Sequence, residues 1–459
     1  MTALSVPEAV EGSARRIRLG VGVAAFGVVL IVVAAIDLVV SGRTGRASHF
    51  TAIDFDLNWV AAHRLISGRA LYDVRAARLD GVRLLGPRML GSGSEPYMSF
   101  IGLPPTALAH APFAPFSEGL ALGLFRLAAL LGMLGSVAIA AWSLVPRARV
   151  PAALVGTGVL IAGFSFVKTL ELGQANELVM LGLAVGMWGV ARKRWTIAGV
   201  GLGVATVLKL SPGLLLVFLV LRGCRRVIVP AVLTGAGCIA AAAAVGQPTD
   251  VLTWLRDVAP KLSKGTIGVY NQSIVGWVGR MVTSSSDLVT NTPPGRWYVL
   301  AYAFALGAII VLWRVRRAQP VTPLELGIVI LVAVLAGPLS WDHYMTWAVI
   351  AVVPIADVTR WEHLGARART GLFIALLCSL VLLHNPIVVP SSASVAANWV
   401  VRVTTGPYTV SALVWLGVAW TLLSRDRSRA SRSDTSGPPE GSRTGCRSRG
   451  VNVPTRMSA

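Results

Sequence analysis

Hydrophobic positions in this chain fall in long unbroken runs, not in the alternation of a half-buried strand or the stripe of a surface helix. The first run, residues 19–40, has about the ~20 apolar residues needed to cross a bilayer. Arg15, Arg16 and Arg18 precede it. A cleaved leader would have an apolar core of about 7–15 residues and a small-residue cleavage site. No clear site follows, so an uncleaved first helix is expected. Further runs cover 118–145, 151–169, 175–191, 196–209, 211–222, 227–246, 298–313, 322–339, 344–358, 371–390 and 409–424. The short pair 196–209 and 211–222 flanks Lys209-Leu210-Ser211-Pro212. Broken or re-entrant segments there would give ten to twelve spans. The pattern predicts an all-α polytopic membrane protein.

Composition agrees. Of 459 residues, 54% are hydrophobic and only 14% charged, against roughly 25% charged in soluble domains, and mean hydropathy is +0.67. Such a chain cannot cover a water-facing surface. Disorder, collagen and disulfide scaffolds are excluded. Cys224, Cys238, Cys378 and Cys446 form neither a CxxC pair nor a zinc spacing, and no external disulfide is expected.

The net charge of +21 would suggest nucleic acid in a soluble protein; here it reports sidedness. With the N-terminus in the cytoplasm, the inside segments hold Arg147 and Arg149; Arg192, Lys193 and Arg194; Arg222, Arg225 and Arg226; Arg314, Arg316 and Arg317; and Arg360, Arg367 and Arg369. The tail after Ser424 adds eight arginines. The short turns on the other side hold only Lys209, with Lys168 just before the first of them. Two long segments, 41–117 and 247–297, then lie outside. The first contains an amphipathic stretch, Leu57–Ile66, and an apolar run, 106–116, read as lying along or dipping into the outer leaflet. The expected organisation is a membrane domain over 1–424 and a disordered basic cytoplasmic tail over 425–459, suited to anionic headgroups.

Polar residues outside the basic loops gather on the external side: Asp54-Phe55-Asp56, Gly173-Gln174-Ala175-Asn176, Lys209 to Pro212, Asn271-Gln272-Ser273 with Arg280, and Ser340-Trp341-Asp342-His343-Tyr344. Six of the seven tyrosines fall in or beside external segments, more than a belt at both interfaces explains. Singly, each group has a plain reading: solvated acids, turn residues, a snorkelling lysine, a polar helix start. Arg126, inside a span, reads as an interhelical partner. Jointly they suit transfer of a sugar from a lipid phosphate. A carboxylate accepts the proton of an attacking hydroxyl, cations neutralise the departing phosphate, and aromatics pack on sugar and lipid. Asp54-x-Asp56 also fits a short metal-holding pattern, but a monophosphate donor carries less charge, and no metal is expected. G-x-S-x-G and G-x-x-x-x-G-K-[ST] motifs are absent. A transporter would place charges near the midplane of two repeated halves, and no clear repeat is seen. A scaffold role through the basic tail is the remaining alternative.

The residues also resemble glycosyltransferase family 87. The resemblance runs in order through Asp54-Phe55, Ala61-Ala62-His63-Arg64-Leu65-Ile66-Ser67-Gly68 and Leu71-Tyr72-Asp73; Leu103-Pro104-Pro105-Thr106 with Pro112-Phe113-Ala114; Gly173-Gln174-x-Asn176; Gly201-x-Gly203 leading to Lys209–Pro212; Asn271-Gln272-Ser273 with Arg280; and Ser340 to Tyr344. It implies a GT-C-type bundle with a long first external loop. It implies a polyprenyl-phosphate sugar donor, especially mannose and in some members arabinofuranose, and a glycolipid or polysaccharide acceptor in an actinobacterial envelope pathway. By the same resemblance Asp54 is the base of an inverting reaction, and His343 with Asp342 assists it or orients the acceptor. Lys209 and Arg280 are candidates for the phosphate. Asp56, Gln174, Asn176, Asn271, Gln272, Trp341 and Tyr344 are candidate substrate contacts. Asn58-Trp59 stands where tyrosines are common, Ala336-Gly337-Pro338 replaces an Ala-Ser-Pro-like run, and Tyr344 stands where a second histidine is frequent. These departures bear on sugar and acceptor more than on reaction class.

Overall fold

The computed structural model describes residues 6–40, 52–86, 99–282, 295–362, 364–384 and 404–434. The expected external stretches 41–51, 87–98 and 283–294, and the tail beyond 434, lie outside the described residues. Among those described there is no strand, only one antiparallel bridge between Asn271 and Trp341.

Sixteen helices carry the argument: α1 Val6–Val40, α2 Ile53–Ile66, α3 Val74–Leu85, α4 Pro104–His110, α5 Glu118–Leu144, α6 Arg149–Ala162, α7 Phe164–Leu172, α8 Asn176–Ala191, α9 Trp195–Leu208, α10 Gly213–Leu221, α11 Ile228–Val245, α12 Ile274–Val282, α13 Gly295–Arg316, α14 Pro323–Ala336, α15 Ala366–His384 and α16 Pro407–Asp434. Six contain segments long and apolar enough to cross a membrane: Ile17–Asp37, Glu118–Leu144, Arg225–Val245, Trp297–Arg316, Ala366–His384 and Pro407–Arg425. The pair α6 and α7, bent by 64° at Gly163, makes a seventh if counted as one span. Asn176–Ala191, Trp195–Leu208 and Pro323–Ala336 are apolar but shorter. This is the predicted all-α polytopic membrane protein, with fewer full-length spans than the ten to twelve expected.

Two expected spans account for much of the difference. Run 211–222 yields the nine-residue α10, about 14 Å at 1.5 Å per residue, half of a ~30 Å hydrocarbon core. Run 344–358 breaks into short turns, Asp342–Tyr344, Met345–Ala348, Val349–Ala351 and Val353–Ala356. Pro354 lacks the N–H that a continuing helix needs, and Val349, Ile350, Val352 and Val353 are β-branched. Residues Met345 to Ile355 are buried. Irregular backbone at this depth persists where protein, not lipid, surrounds it. At the other end of the chain, α16 continues past 425 to Asp434, where a tail was expected.

Packing follows the small residues. α8 lies against α5 and α9, α9 against α11, and α1 against α6. At the α8–α9 seam a Cβ on Gly182 would stand 2.7 Å from the Gly201 carbonyl oxygen. Only glycine permits this approach, the usual way helices associate without a hydrophobic drive between them. α14 is buried from Leu324 to Ala336 and forms the centre of the bundle, whereas Val21, Val28, Val32, Val33 and Ile36 of α1 are exposed, as suits a lipid-facing helix.

The chain alternates between two ends. α8 leads away from Gln174 to Arg192-Lys193-Arg194, and α9 returns to Lys209. α10 leads away to Arg222, and α11 returns to Gln247, whose amide donates to the Gly68 carbonyl. At the arginine-rich end, Glu325 Oε1 accepts from Arg222 Nη1 (2.9 Å) and Arg316 Nε (2.7 Å), with all three side chains buried. Arg222 Nη2 also donates to the Gln319 carbonyl, and Glu325 closes a capping box with Thr322. Thus two arginines that satisfy the positive-inside pattern are also structural. Glu325→Gln should leave two buried guanidiniums undercompensated and destabilise by about 3–5 kcal/mol. A markedly lower thermal midpoint in detergent checks this; an unchanged midpoint contradicts it.

Candidate functional site

The site begins where the 171–174 turn meets the start of α2. Gly173 closes α7 with φ 68°, a left-handed conformation that favours glycine. A Cβ there would lie 2.4 Å from Phe55 Cβ. The Ala52 N–H donates to the Glu171 carbonyl at 2.9 Å, tying α2 to the same turn. Arg126, expected as an interhelical partner, donates from Nε to the Leu170 carbonyl (2.9 Å) and from Nη2 to that of Glu171 (3.4 Å). His110 packs behind, stacked on Phe125 at 4.9 Å. Burial lowers the His110 pKa to about 4, with the carbonyls of Thr106 and Gly173 acting the other way. A carbonyl only accepts, so the Nδ1 of neutral His110, 2.8 Å from Thr106 O, carries the proton.

This juxtaposition places Gln174 on Asp54. Gln174 Nε2 donates to Asp54 Oδ2 at 2.6 Å, and Gln174 Oε1 accepts from Lys209 Nζ at 3.5 Å. A carboxylate only accepts and an ammonium only donates, so both neighbours fix the same amide orientation. Lys209 Nζ lies 3.4 Å from the centroid of the Tyr344 ring, a cation–π contact. Asp54, Gln174, Lys209, Trp341 and Tyr344 are all half-buried. Asp56 is buried. Two residues apart on one helix, the acids leave α2 about 200° apart and do not form a joint claw. Among the described residues no group of three His, Cys, Asp or Glu side chains has metal-holding geometry.

Behind Tyr344, the Asp342-His343 backbone is held by a buried polar chain. Asn176 Nδ2 donates to the His343 carbonyl and to Thr169 Oγ1, both at 3.1 Å. Thr346 Oγ1 donates to the Ser165 carbonyl, so Thr169, 2.9 Å away, supplies the proton between the two hydroxyls. Ser165 Oγ donates to the Asp342 carbonyl at 2.7 Å. His343 Nδ1 lies 3.2 Å from Asp342 Oδ1. Burial lowers the His343 pKa; Asp342, the strongest opposing influence, raises it. Asp54 and Lys209 are both within electrostatic reach of this ring.

The remaining candidates form a brace under Trp341. The Gln272 N–H donates to the Ser340 carbonyl (2.6 Å) and the Asp342 N–H to that of Tyr270 (2.9 Å). Asn271 Nδ2 donates to the Thr266 and Pro338 carbonyls, and its Oδ1 accepts from the Ser340 N–H. Gln272 Nε2 donates to the Val269 and Thr405 carbonyls. Arg280 departs from its expected place at a phosphate. It is fully buried, and its guanidinium donates to the carbonyls of Ile267, Gly268, Asn271 and Thr405 and to the Thr405 hydroxyl. A guanidinium so engaged stabilises a loop; it does not face an open site. Burial lowers the Arg280 pKa to about 9.

Sequence reading missed Ser165, Thr169 and Thr346, hydroxyls that look ordinary in apolar helices. It also missed Glu177, although an acid within the apolar run 175–191 is itself a signal. Glu177 is buried, and among the described residues its Oε2 has no hydrogen-bond partner.

The sequence profile of glycosyltransferase family 87 matches residues 100–338. A polyprenol-phosphate-mannose-dependent alpha-(1-2)-phosphatidylinositol pentamannoside mannosyltransferase of Mycobacterium tuberculosis is 26% identical over 326 residues, 68% of this chain and 69% of the relative. A polyprenol-phosphate-mannose-dependent alpha-(1-2)-phosphatidylinositol mannoside mannosyltransferase of Mycolicibacterium smegmatis is 28% identical over 356 residues, 69% of this chain and 76% of the relative. No solved structure matches significantly.

Arg280→Gln should leave several buried carbonyls unpaired and destabilise the protein by about 2–4 kcal/mol. Limited proteolysis within 266–273 and a lower thermal midpoint are expected. An unchanged midpoint with loss of ligand affinity alone would return Arg280 to the phosphate.

Proposed function

The chain belongs to glycosyltransferase family 87, and from that premise we propose that it transfers mannose from a polyprenyl-phosphate donor to a lipid-linked or glycan acceptor, with inversion, at the outer face of the cytoplasmic membrane. The observation that carries this reading is a half-buried carboxylate, Asp54, tied through Gln174 to an ammonium, Lys209, that rests on the Tyr344 ring. Mannose over arabinofuranose rests on the two mycobacterial relatives, whose names specify a polyprenol-phosphate-mannose donor, and a phosphatidylinositol mannoside is the acceptor class those names suggest. Sidedness rests on the alternation of ends: arginine-rich turns at one, the Asp54 group at the other.

In this mechanism an acceptor hydroxyl approaches Asp54 through Oδ1, since Oδ2 accepts from Gln174. The hydroxyl oxygen attacks C1 of the sugar as its proton passes to Asp54. The bond from C1 to the phosphate oxygen breaks, and polyprenyl phosphate leaves with the electron pair. Lys209 stands where a charge-assisted contact stabilises that departing phosphate. One displacement at C1 turns a β-linked donor into an α-linked product. His343, kept neutral by burial, orients the acceptor, and the Thr169–Thr346–Ser165 chain holds it in register.

The test is transfer by purified protein in nanodiscs. Labelled polyprenyl-phosphate mannose and the arabinofuranose donor would be offered separately, with mixed envelope glycolipids as acceptors. Label should pass from the mannose donor into a glycolipid. Asp54→Asn should lower turnover by about 10²–10⁴-fold while donor binding persists. Normal turnover in that variant removes Asp54 from the base role. Lipid flux across vesicles without new glycosidic bonds favours transport instead.

A further inference from the structure

We propose that α3 is a docking surface for the anionic headgroups of outer-leaflet phospholipids, which meet Arg75, Arg78 and Arg83. The inference takes the outer face from the sidedness proposed above. It goes beyond the transfer reaction to what holds the first external segment against the membrane.

Arg75, Arg78, Leu79, Val82 and Arg83 follow i, i+3, i+4, i+7, i+8 spacing and so share one side of α3. Arg75, Arg78, Leu79 and Arg83 are exposed, Leu79 by 64%. Val74, at the edge of that side, is 50% exposed. The opposite side carries the buried Ala77 and Gly81. Asp80 accepts from Arg64 and from Arg69 Nη1 (2.6 Å), and Asp73 caps the helix by accepting from the Ala76 N–H at 3.0 Å. Both acids of the segment are thus engaged. A face turned to bulk water gains nothing from Leu79 and Val74. A face turned to the bilayer boundary uses both kinds of residue: the apolar side chains enter it, and the arginines reach the phosphates.

The neighbours of α3 set its height. α11 holds most of the membrane-crossing segment Arg225–Val245, and its exposed Val229, Val232 and Leu233 suit a lipid-facing helix. Where it ends, a Cβ on Gly246 would stand 2.5 Å from Leu65 Cδ1. The Gln247 amide donates to the Gly68 carbonyl at 2.9 Å, and Asp250 Oδ1 accepts from the Leu71 N–H at 3.0 Å. The end of α2 and the lead-in to α3 therefore lie at the level where a spanning helix leaves the hydrocarbon. The other end of α2 meets Gln174 and, through it, Lys209 at the end of α9. Thus α2, about 20 Å long, runs across helix ends and carries α3 to the lipid-facing margin of the bundle. Three arginines on one helix also stand apart from the charge pattern of this side, whose short turns hold only Lys209. Charge complementarity names the occupant: a headgroup phosphate, with each cation near such a surface strengthening the contact about fivefold.

The test places a benzophenone side chain at Leu79 of the full-length protein. The protein is set in nanodiscs of phosphatidylcholine with a minor share of phosphatidylinositol and irradiated, and α3 peptides are read by mass spectrometry. Phospholipid adducts are expected, with phosphatidylinositol enriched about fivefold or more over its share. Adding Arg75→Gln, Arg78→Gln and Arg83→Gln together should keep the adducts but return phosphatidylinositol to its share of the bilayer. Raised salt should lower the enrichment in the parent. If the triple variant does not fold, Arg75→Gln and Arg83→Gln are compared singly, each lowering the enrichment in part. The proposal is overturned by any of three results: no phospholipid adduct at residue 79, adducts that mirror the bilayer composition in the parent, or enrichment that the folded variants retain in full. A nanodisc leaves both membrane faces open, so the outcome depends neither on sidedness nor on turnover. An error in sidedness shows separately, when Ser67→Cys in intact cells resists a membrane-impermeant thiol reagent that labels it after lysis.

Discussion

The close approach of two backbones at Gly173 and Phe55 is the constraint on which the rest of the site depends. A side chain at 173 would overlap Phe55 and would have to adopt a left-handed φ. With glycine there, the 171–174 turn sits against the start of α2, and the Ala52–Glu171 hydrogen bond locks the contact. Gln174 then spans from a carboxylate to an ammonium that belong to α2 and to the end of α9. Three segments far apart in sequence become one polar group because a single residue lacks a Cβ.

The polar residues divide by task. A small half-buried set, Asp54, Gln174, Lys209 and Tyr344, is the one to which we assign the chemistry. Larger buried sets keep that group aimed. The Asn176–Thr169–Thr346 chain fixes the His343 backbone, and the Arg280–Asn271–Gln272 brace fixes the strand-like segment beneath Trp341. Buried polar atoms are costly unless paired, and these are paired largely with backbone carbonyls that irregular loops leave open. At the opposite end, Glu325 gathers Arg222 and Arg316 around the buried helix α14. The bundle thus carries a buried ion-pair cluster at one end and a half-buried polar group at the other.

Much of this was legible in the sequence. Apolar runs marked helices such as Glu118–Leu144 and Asn176–Ala191, and arginine spacing marked alternate ends. The motif residues around Gln174, Lys209 and Tyr344 converge with Asp54 as their joint placement suggested. What was not legible depended on tertiary context. Apolar content marks burial but cannot tell a lipid-facing helix from a protein-enclosed irregular segment, so 344–358 read as a span. Charge marks a polar partner but not its identity, so Arg280 read as a phosphate ligand when its partners are carbonyls. Hydroxyls in apolar helices carry almost no sequence signal, and Thr169 and Thr346 emerge only once α7 meets the 342–346 turns. Glu177 did carry a signal, an acid in an apolar run, but it lay one residue beyond a motif that drew attention to Gln174 and Asn176.

The most direct test is a structure of the Asp54→Asn protein with polyprenyl-phosphate mannose bound, turnover being blocked while the donor site is intact. The account predicts the phosphate within hydrogen-bond distance of Lys209 Nζ, beside the Tyr344 ring. C1 of the sugar would face residue 54, and Arg280 would still be bonded to its loop carbonyls. A phosphate held at Arg280, or a sugar whose C1 points away from residue 54, would contradict it.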